Sequence, residues 1–228
     1  TEVEIPVEVV RGKKNGPTLF VCSAIHGDEI NGIEIVKRLL KSKSLENIRG
    51  TLIAIPIVNV FGFNDRSRYL PDRRDLNRCF PGLKKGSLAS QLAYKFMKEI
   101  VEQSDYGIDL HTGSFHRNNY PQLRANTDDK LTLELAKSFG APVIINANLR
   151  DGSLREAVAA LKIPMLLYEG GESLRFNEKV IDLGVKGILS VMEKIKMIPS
   201  QKDKKETKID ESKLFLAESS HWVRAGQS

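Results

Sequence analysis

The chain has 228 residues, 41% of them hydrophobic and 28% charged, with a net charge of +6. That length and balance suit one large α/β unit burying roughly 70–75% of the surface its unfolded form exposes, and they exclude collagen-like and broadly disordered chains. The lysine excess falls around Lys37 to Lys43 and Lys194 to Lys208 without interleaved aromatic residues, which argues against nucleic acid as a partner, since base stacking needs such rings.

No basic-then-apolar leader follows Thr1, so the cytoplasm is the expected location. Val3 to Val10 alternates as an edge strand does, and Gly12 to Pro17 reads as a turn. Thr18 to Ile25 is an apolar, strand-length run, followed by H-G-D-E and the helical spacing Ile30, Ile33, Val36, Leu39, Leu40. A second buried strand spans Thr51 to Val58. Asn59 to Gly86 is too rich in Pro, Gly and Arg for a long helix and reads as a functional loop. Leu88 to Val101 resumes helical spacing. Tyr106 to Leu110 is a strand ending at His111, and Leu131 to Phe139 a helix stopped by Gly140. Pro142 to Ile145 is a strand, Leu154 to Leu161 a helix, Pro164 to Tyr168 a strand and Val180 to Ile195 a helix.

This alternation predicts an α/β fold with a mostly parallel central sheet flanked by helices on both faces. The expected organisation is a catalytic unit over 1–197, a linker or exposed loop over 198–212, and the start of a C-terminal β-rich segment over 213–228 that Ser228 cuts short. No apolar run approaches the about 20 residues of a membrane span, so no membrane partner is expected. Cys22 and Cys79 stand apart outside any CxxC pair, which indicates neither a disulfide framework nor a thiolate zinc site. A homo-oligomer is compatible with all of this.

The chemistry gathers at the carboxyl ends of the strands, where open parallel sheets bind ligands. His26 ends one strand, Glu29 follows in what should be the first helical turn, and His111 ends another strand. Two His and one Glu form a zinc-ligand set with a fourth position left for water. Glu169, directly after the strand Pro164 to Tyr168, is then the carboxylate to take a proton from that water and hand it to the leaving nitrogen of an amide. Asp109, two residues before His111, is placed to orient it, or else is a buried structural residue.

In the arginine-rich stretch from Arg68 to Arg78, Asn77 and Arg78 suit a clamp on a substrate carboxylate. Arg68 suits the cation that stabilises the oxyanion, while Arg66, Arg73 and Arg74 read as solvated. His116, His221 and Trp222 read as surface or packing residues, and Arg124 and Asn126 as candidates to line the pocket.

The motifs H26-G-D-E29, D75-L-N-R78, D109-L-H111 and Y168-E-G-G171, in this order, resemble the succinylglutamate desuccinylase/aspartoacylase family of zinc-carboxypeptidase-like enzymes. The resemblance covers roughly residues 5 to 195. It implies one zinc per chain at His26, Glu29 and His111, Glu169 as general base, Asn77 and Arg78 on the substrate carboxylate, and Arg68 polarising the carbonyl. Where the aspartoacylase branch has an arginine for its substrate's side-chain carboxylate, this chain has Val158.

The expected activity is deacylation of an N-acyl amino acid or similar small molecule bearing a carboxylate. A metallocarboxypeptidase acting on a peptide's C-terminus and a non-catalytic metal-binding protein of the same fold are the alternatives.

Overall fold

Leu19 and Val21 of the strand Lys14–Ser23 (β2) pack into one core, Phe20 and Cys22 into another, and all four are fully buried. A strand that buries both sets of alternating side chains is covered on both faces. The same holds for the central strands, though not for the edges, in the computed structural model, which describes residues 3–200 and 214–218. The strands Glu8–Arg11 (β1), β2, Arg49–Ile55 (β3), Tyr106–Gly113 (β4), Asn119–Ala125 (β5), Val143–Asn146 (β6), Met165–Glu172 (β7) and Phe215–Ala217 (β8) form one sheet. Its order is β1-β3-β2-β4-β7-β5-β6-β8.

β3, β2, β4 and β7 are mutually parallel, as are β5, β6 and β8, while β1 and β5 run antiparallel to β3 and β7. The β5–β7 register shifts between Asn119 and Gln122, around Pro121, a residue that cannot donate to a ladder and so favours irregular positions.

The helices are Asn31–Leu40 (α1), Val60–Asn64 (α2), Leu88–Glu99 (α3), Lys130–Phe139 (α4), Leu154–Ala160 (α5) and Glu178–Lys194 (α6). One core takes Ile35, Val36 and Leu39 of α1, Leu135 and Phe139 of α4, and Ile181, Ile188 and Val191 of α6. The other takes Ala93 and Phe96 of α3 with Leu154 and Val158 of α5. Side chains of Ser87, Asp129, Ser153 and Asn177 accept hydrogen bonds from free N–H groups in the first turns of α3 to α6, satisfying donors that helix geometry leaves orphaned. Gly140, at φ 80°, ends α4, a left-handed position that costs glycine nothing. Among the described residues, no helix is long and apolar enough to cross a membrane.

The α/β architecture agrees with the sequence expectation, and four local differences bear on the site. The stretch read as a loop from Asn59 to Gly86 contains α2 and a 3-10 turn at Leu76–Arg78, capped by Asn59 and Asp75. α1 begins at Asn31, leaving Glu29 in the preceding turn, where its N–H donates to His26 O at 3.1 Å. β4 and β7 continue past their expected ends, so His111 and Glu169 lie within strands. β5 occupies the segment read as a loop around Arg124. Of the C-terminal strand region expected at Lys213 to Val223, Phe215–Ala217 pairs with β6. Residues 201–213 and 219–228 lie outside the described residues, and with them most of the expected linker and C-terminal segment.

Candidate metal centre and its cavity

The H-G-D-E turn is held close against α2. A Cβ on Gly27 would come 2.0 Å from Gly62 C and 2.1 Å from Phe63 N, so only glycine allows this approach. The turn carries His26 and Glu29 toward β4, the neighbour of β2, on which His111 sits.

There the three residues meet. His26 Nδ1 lies 2.8 Å from Glu29 Oε1, and His111 Nδ1 lies 2.9 Å from Glu29 Oε2. The Thr112 N–H donates to the same Oε2 at 3.0 Å. One ligand atom from each of the three residues lies within 4.8 Å of the others, and all three side chains are buried.

The opposite ring nitrogens face carboxylates. His26 Nε2 is 3.1 Å from Asp75 Oδ1, and His111 Nε2 is 2.7 Å from Asp109 Oδ2. An acceptor behind each ring sets its tautomer and aims the other nitrogen inward, as metal-binding histidines require. Two inward nitrogens and one carboxylate are a donor set that fits zinc.

Burial alone would depress both imidazoles. For His26 the Glu29 charge and the hydrogen bonds to Asp75 and Glu29 outweigh it, and for His111 the charges of Asp109 and Glu29 do, so both pKa values lie above the usual histidine value. Burial would raise the Glu29 carboxyl, but the two imidazoles hold it well below the usual carboxylate range. The buried Glu29 carboxylate thus favours positive charge beside it, which a divalent cation would supply.

These residues open onto a cavity of about 550 Å³, also lined by Arg68, Asn77, Arg78 and Glu169. Glu169 stands beside His111 in the β4–β7 register. Its Oε2 accepts from Asn119 Nδ2 at 2.9 Å, faces Arg124 Nε at 3.3 Å and lies 3.5 Å from Gln122 Nε2. Buried Asn77 is fixed through Oδ1, which accepts the Leu154 N–H at 2.9 Å, while Arg78 is exposed at the cavity mouth. Arg68 reaches Asp75 Oδ2 through Nε at 3.2 Å and Nη2 at 3.0 Å, with Nη1 3.4 Å from Glu29 Oε1. His26, Glu29, His111, Glu169, Arg68, Asn77 and Arg78 are thus brought to one cavity, with Asp109 directly behind it.

Sequence reasoning missed Asp75 as the partner of His26, Asn119 as a donor to Glu169, and Arg155, which lines the cavity from α5. Arg124 lines this cavity, whereas Asn126 lines a smaller neighbouring one. His116 is exposed with its ring against Phe115, and Arg66, Arg73 and Arg74 are exposed. His221 and Trp222 lie outside the described residues.

The model of the succinylglutamate desuccinylase/aspartoacylase catalytic domain matches residues 15–195. The N-alpha-acetyl-L-2,4-diaminobutyric acid deacetylase of Halomonas elongata is 35% identical over 195 residues, covering 79% of this chain and 57% of that protein. A succinylglutamate desuccinylase/aspartoacylase from Rhodobacter sphaeroides superposes with a TM-score of 0.79 at 30% identity, over 86% of this chain and 60% of that one. The product-bound ectoine utilization protein EutE (DoeB) of Ruegeria pomeroyi gives 0.81 at 26% identity, over 87% and 63%. The chain thus spans about three fifths of the length of these relatives.

Proposed function

The chain belongs to the succinylglutamate desuccinylase/aspartoacylase family, and we propose that it is a zinc-dependent amide hydrolase that deacylates an N-acyl amino acid or a similar small carboxylate-bearing molecule. One observation carries this reading: the Nδ1 atoms of His26 and His111 converge on Glu29 in the same cavity that Glu169 lines.

His26, Glu29 and His111 would hold the ion. Zinc bound there would polarise the amide carbonyl and lower the pKa of a water molecule. Asn119 and Arg124 pin Glu169 through Oε2, which would hold its carboxylate in place for the attacking water. Glu169 takes a proton from that water as the water oxygen bonds to the carbonyl carbon, and delivers it to the leaving nitrogen as the C–N bond breaks, giving a carboxylic acid and a free amine. Arg78, with the Asn77 side chain fixed beside it, holds the substrate carboxylate. Arg68, kept in place by Asp75, supports the developing oxyanion.

Full-length protein loaded with zinc should contain about one ion per chain and hydrolyse members of an N-acyl amino acid panel. Glu169→Gln should keep the metal and lose turnover by roughly 10²- to 10⁴-fold. Undiminished turnover in that variant would remove Glu169 from the mechanism, and a metal-free wild type with full activity would overturn the reading.

A further inference from the structure

The catalytic cavity has a smaller neighbour of about 320 Å³, and among the described residues Arg155 alone lines both. The strands set the two end to end. On β7, Leu167 borders the catalytic cavity and Met165 the second one; two positions apart, they share a strand face and lie about 7 Å from each other. Arg124, which pairs with Leu167, and Asn126 repeat the division on the β5 side. In the connection from β6 to α5, Asn148 and Arg150 border the first cavity and Leu149 the second.

The two differ in character. Charged and polar groups dominate the catalytic cavity, whereas Leu149, Ala159, Ile163, Pro164 and Met165 make the second mainly apolar, with exposed Asp129 and Lys162.

Arg155 is only 8% exposed, in the first turn of α5. Its Nη2 donates to the backbone carbonyls of Ala147, at 2.9 Å, and Asn148, which fixes the guanidinium plane. Burial and, after it, the charges of Arg124 and Arg150 push its pKa down to about 10, with Glu169 acting the other way, so it is cationic at neutral pH. A fixed, buried cation is a barrier of two kinds. It fills the space between the cavities, and an alkyl chain pressed against it would strip away water without replacing the lost polar contacts.

Resting on the amidase reading of the site, we propose that Arg155 is the wall that limits substrate length. It divides one trough into a catalytic half and an apolar half, and it excludes alkyl groups that would reach the second. Short N-acyl amino acids are then substrates, and those extended by an alkyl chain toward Arg155 are not, although the fold holds an apolar pocket that would suit them.

The test uses full-length, zinc-loaded protein and two series, because the extension can lie on either side of the scissile amide. One compares N-acetyl-, N-butyryl- and N-hexanoyl-L-alanine, the other N-acetyl-L-alanine and N-acetyl-L-norleucine. In at least one series the wild-type kcat/KM should fall about tenfold or more with length. Arg155→Ala should recover about tenfold or more for the longest member relative to N-acetyl-L-alanine, since each methylene buried in an apolar pocket is worth roughly a factor of four.

Ala159 lies one turn along α5 from Arg155 and lines the second cavity. Adding Ala159→Phe to Arg155→Ala should refill the space and remove the gain. Ala159→Phe by itself should change neither series, because Arg155 already closes the second cavity. Selective loss of the longest substrates in that single variant would show that wild-type substrates enter there and would overturn the wall. A flat wild-type length profile, or no gain in a folded Arg155→Ala, would overturn it equally, and all these results leave the amidase standing. Should Arg155→Ala not fold, the wild-type profile and Ala159→Phe decide alone.

In a protein that hydrolyses none of these amides the amidase reading falls, and calorimetry decides the wall. Hexanoate should bind Arg155→Ala about tenfold or more tighter than acetate does, and should bind the wild type no tighter than acetate. Any other ranking overturns it.

Discussion

Asp109 Oδ2 lies 2.7 Å from His111 Nε2, with both side chains buried. Its other oxygen accepts the Cys22 thiol at 3.4 Å, so the carboxylate is anchored on the side away from the imidazole. Asp109→Asn keeps the shape and removes the charge that would make the ring a strong ligand. Zinc affinity should fall by about 10- to 100-fold, measured by competition with a chromogenic chelator, with circular dichroism unchanged. Affinity equal to wild type would reduce Asp109 to a packing residue.

Asn119 bears on Glu169, the proposed base. Its amide holds Glu169 Oε2 at 2.9 Å, so Asn119→Ala should let the carboxylate swing. The expected result is a roughly tenfold lower kcat, the scale of one hydrogen bond to a charged group, with KM and zinc content as in wild type. A change confined to KM would place Asn119 on the substrate.

A metal bound at this site would also govern how stability responds to pH. In stripped protein the raised pKa values of His26 and His111 stabilise the fold fully below the unfolded histidine value of 6.5, and this contribution is lost as pH rises through the folded values. The depressed Glu29 contributes fully above its ordinary 4.5 and is lost as pH falls through its folded value. For this cluster the metal-free optimum lies between those two ordinary values. Zinc would displace protons from the imidazoles, so its hold would strengthen as pH rises. Melting curves should show the gap between zinc-loaded and stripped protein widening from pH 6 to about pH 8; a constant gap would mean that the histidines do not bind the ion.

Gly27 tests the turn that delivers His26. Gly27→Ala forces a methyl group into the Gly62–Phe63 backbone and should destabilise the protein by about 3 kcal/mol or more in urea titrations. Gly140→Ala offers the contrast: nothing lies within 4 Å of its added Cβ, and only the φ of 80° opposes it, so about 1 kcal/mol is expected. Equal losses would show that the close approach at Gly27 relaxes.

At the start of α4, Asp129 Oδ2 accepts from Thr132 N at 2.7 Å and from Thr132 Oγ1. Those bonds lower its carboxyl pKa from the ordinary 3.8, so its contribution is complete above that value and is lost as pH falls through the folded one. Asp129→Ala should cost about 1 kcal/mol at pH 7. The difference should shrink below about pH 3, as denaturation at the two pH values would reveal.

The arrangement of His26, Glu29 and His111 was legible because parallel strands end at a common edge, so polar residues following apolar runs converge there. The helix and strand alternation was legible for the same reason, since both cores are lined by uninterrupted apolar segments. β5 was not: N-Y-P-Q-L-R-A lacks an apolar run and contains Pro121, both signals of a loop. Asp75 escaped because no spacing rule links it to His26, and its contact depends on how the 3-10 turn at Leu76–Arg78 folds back. Arg155 looked like any polar residue on a short helix, and only the packing of α5 shows its buried guanidinium.

The register shift around Pro121 has a consequence for how this chain tolerates change. Side chains alternate along a strand, so Asn119 and Gln122, three positions apart, would point to opposite faces of a regular β5, yet both reach Glu169 Oε2. The extra slack at Tyr120 and Pro121 acts as a phase correction that gathers donors on one side. Gaining or losing a single residue here would preserve the hydrophobic pairing of Leu123 with Tyr168 and still turn Asn119 away, so this stretch is more sensitive to its length than to its composition.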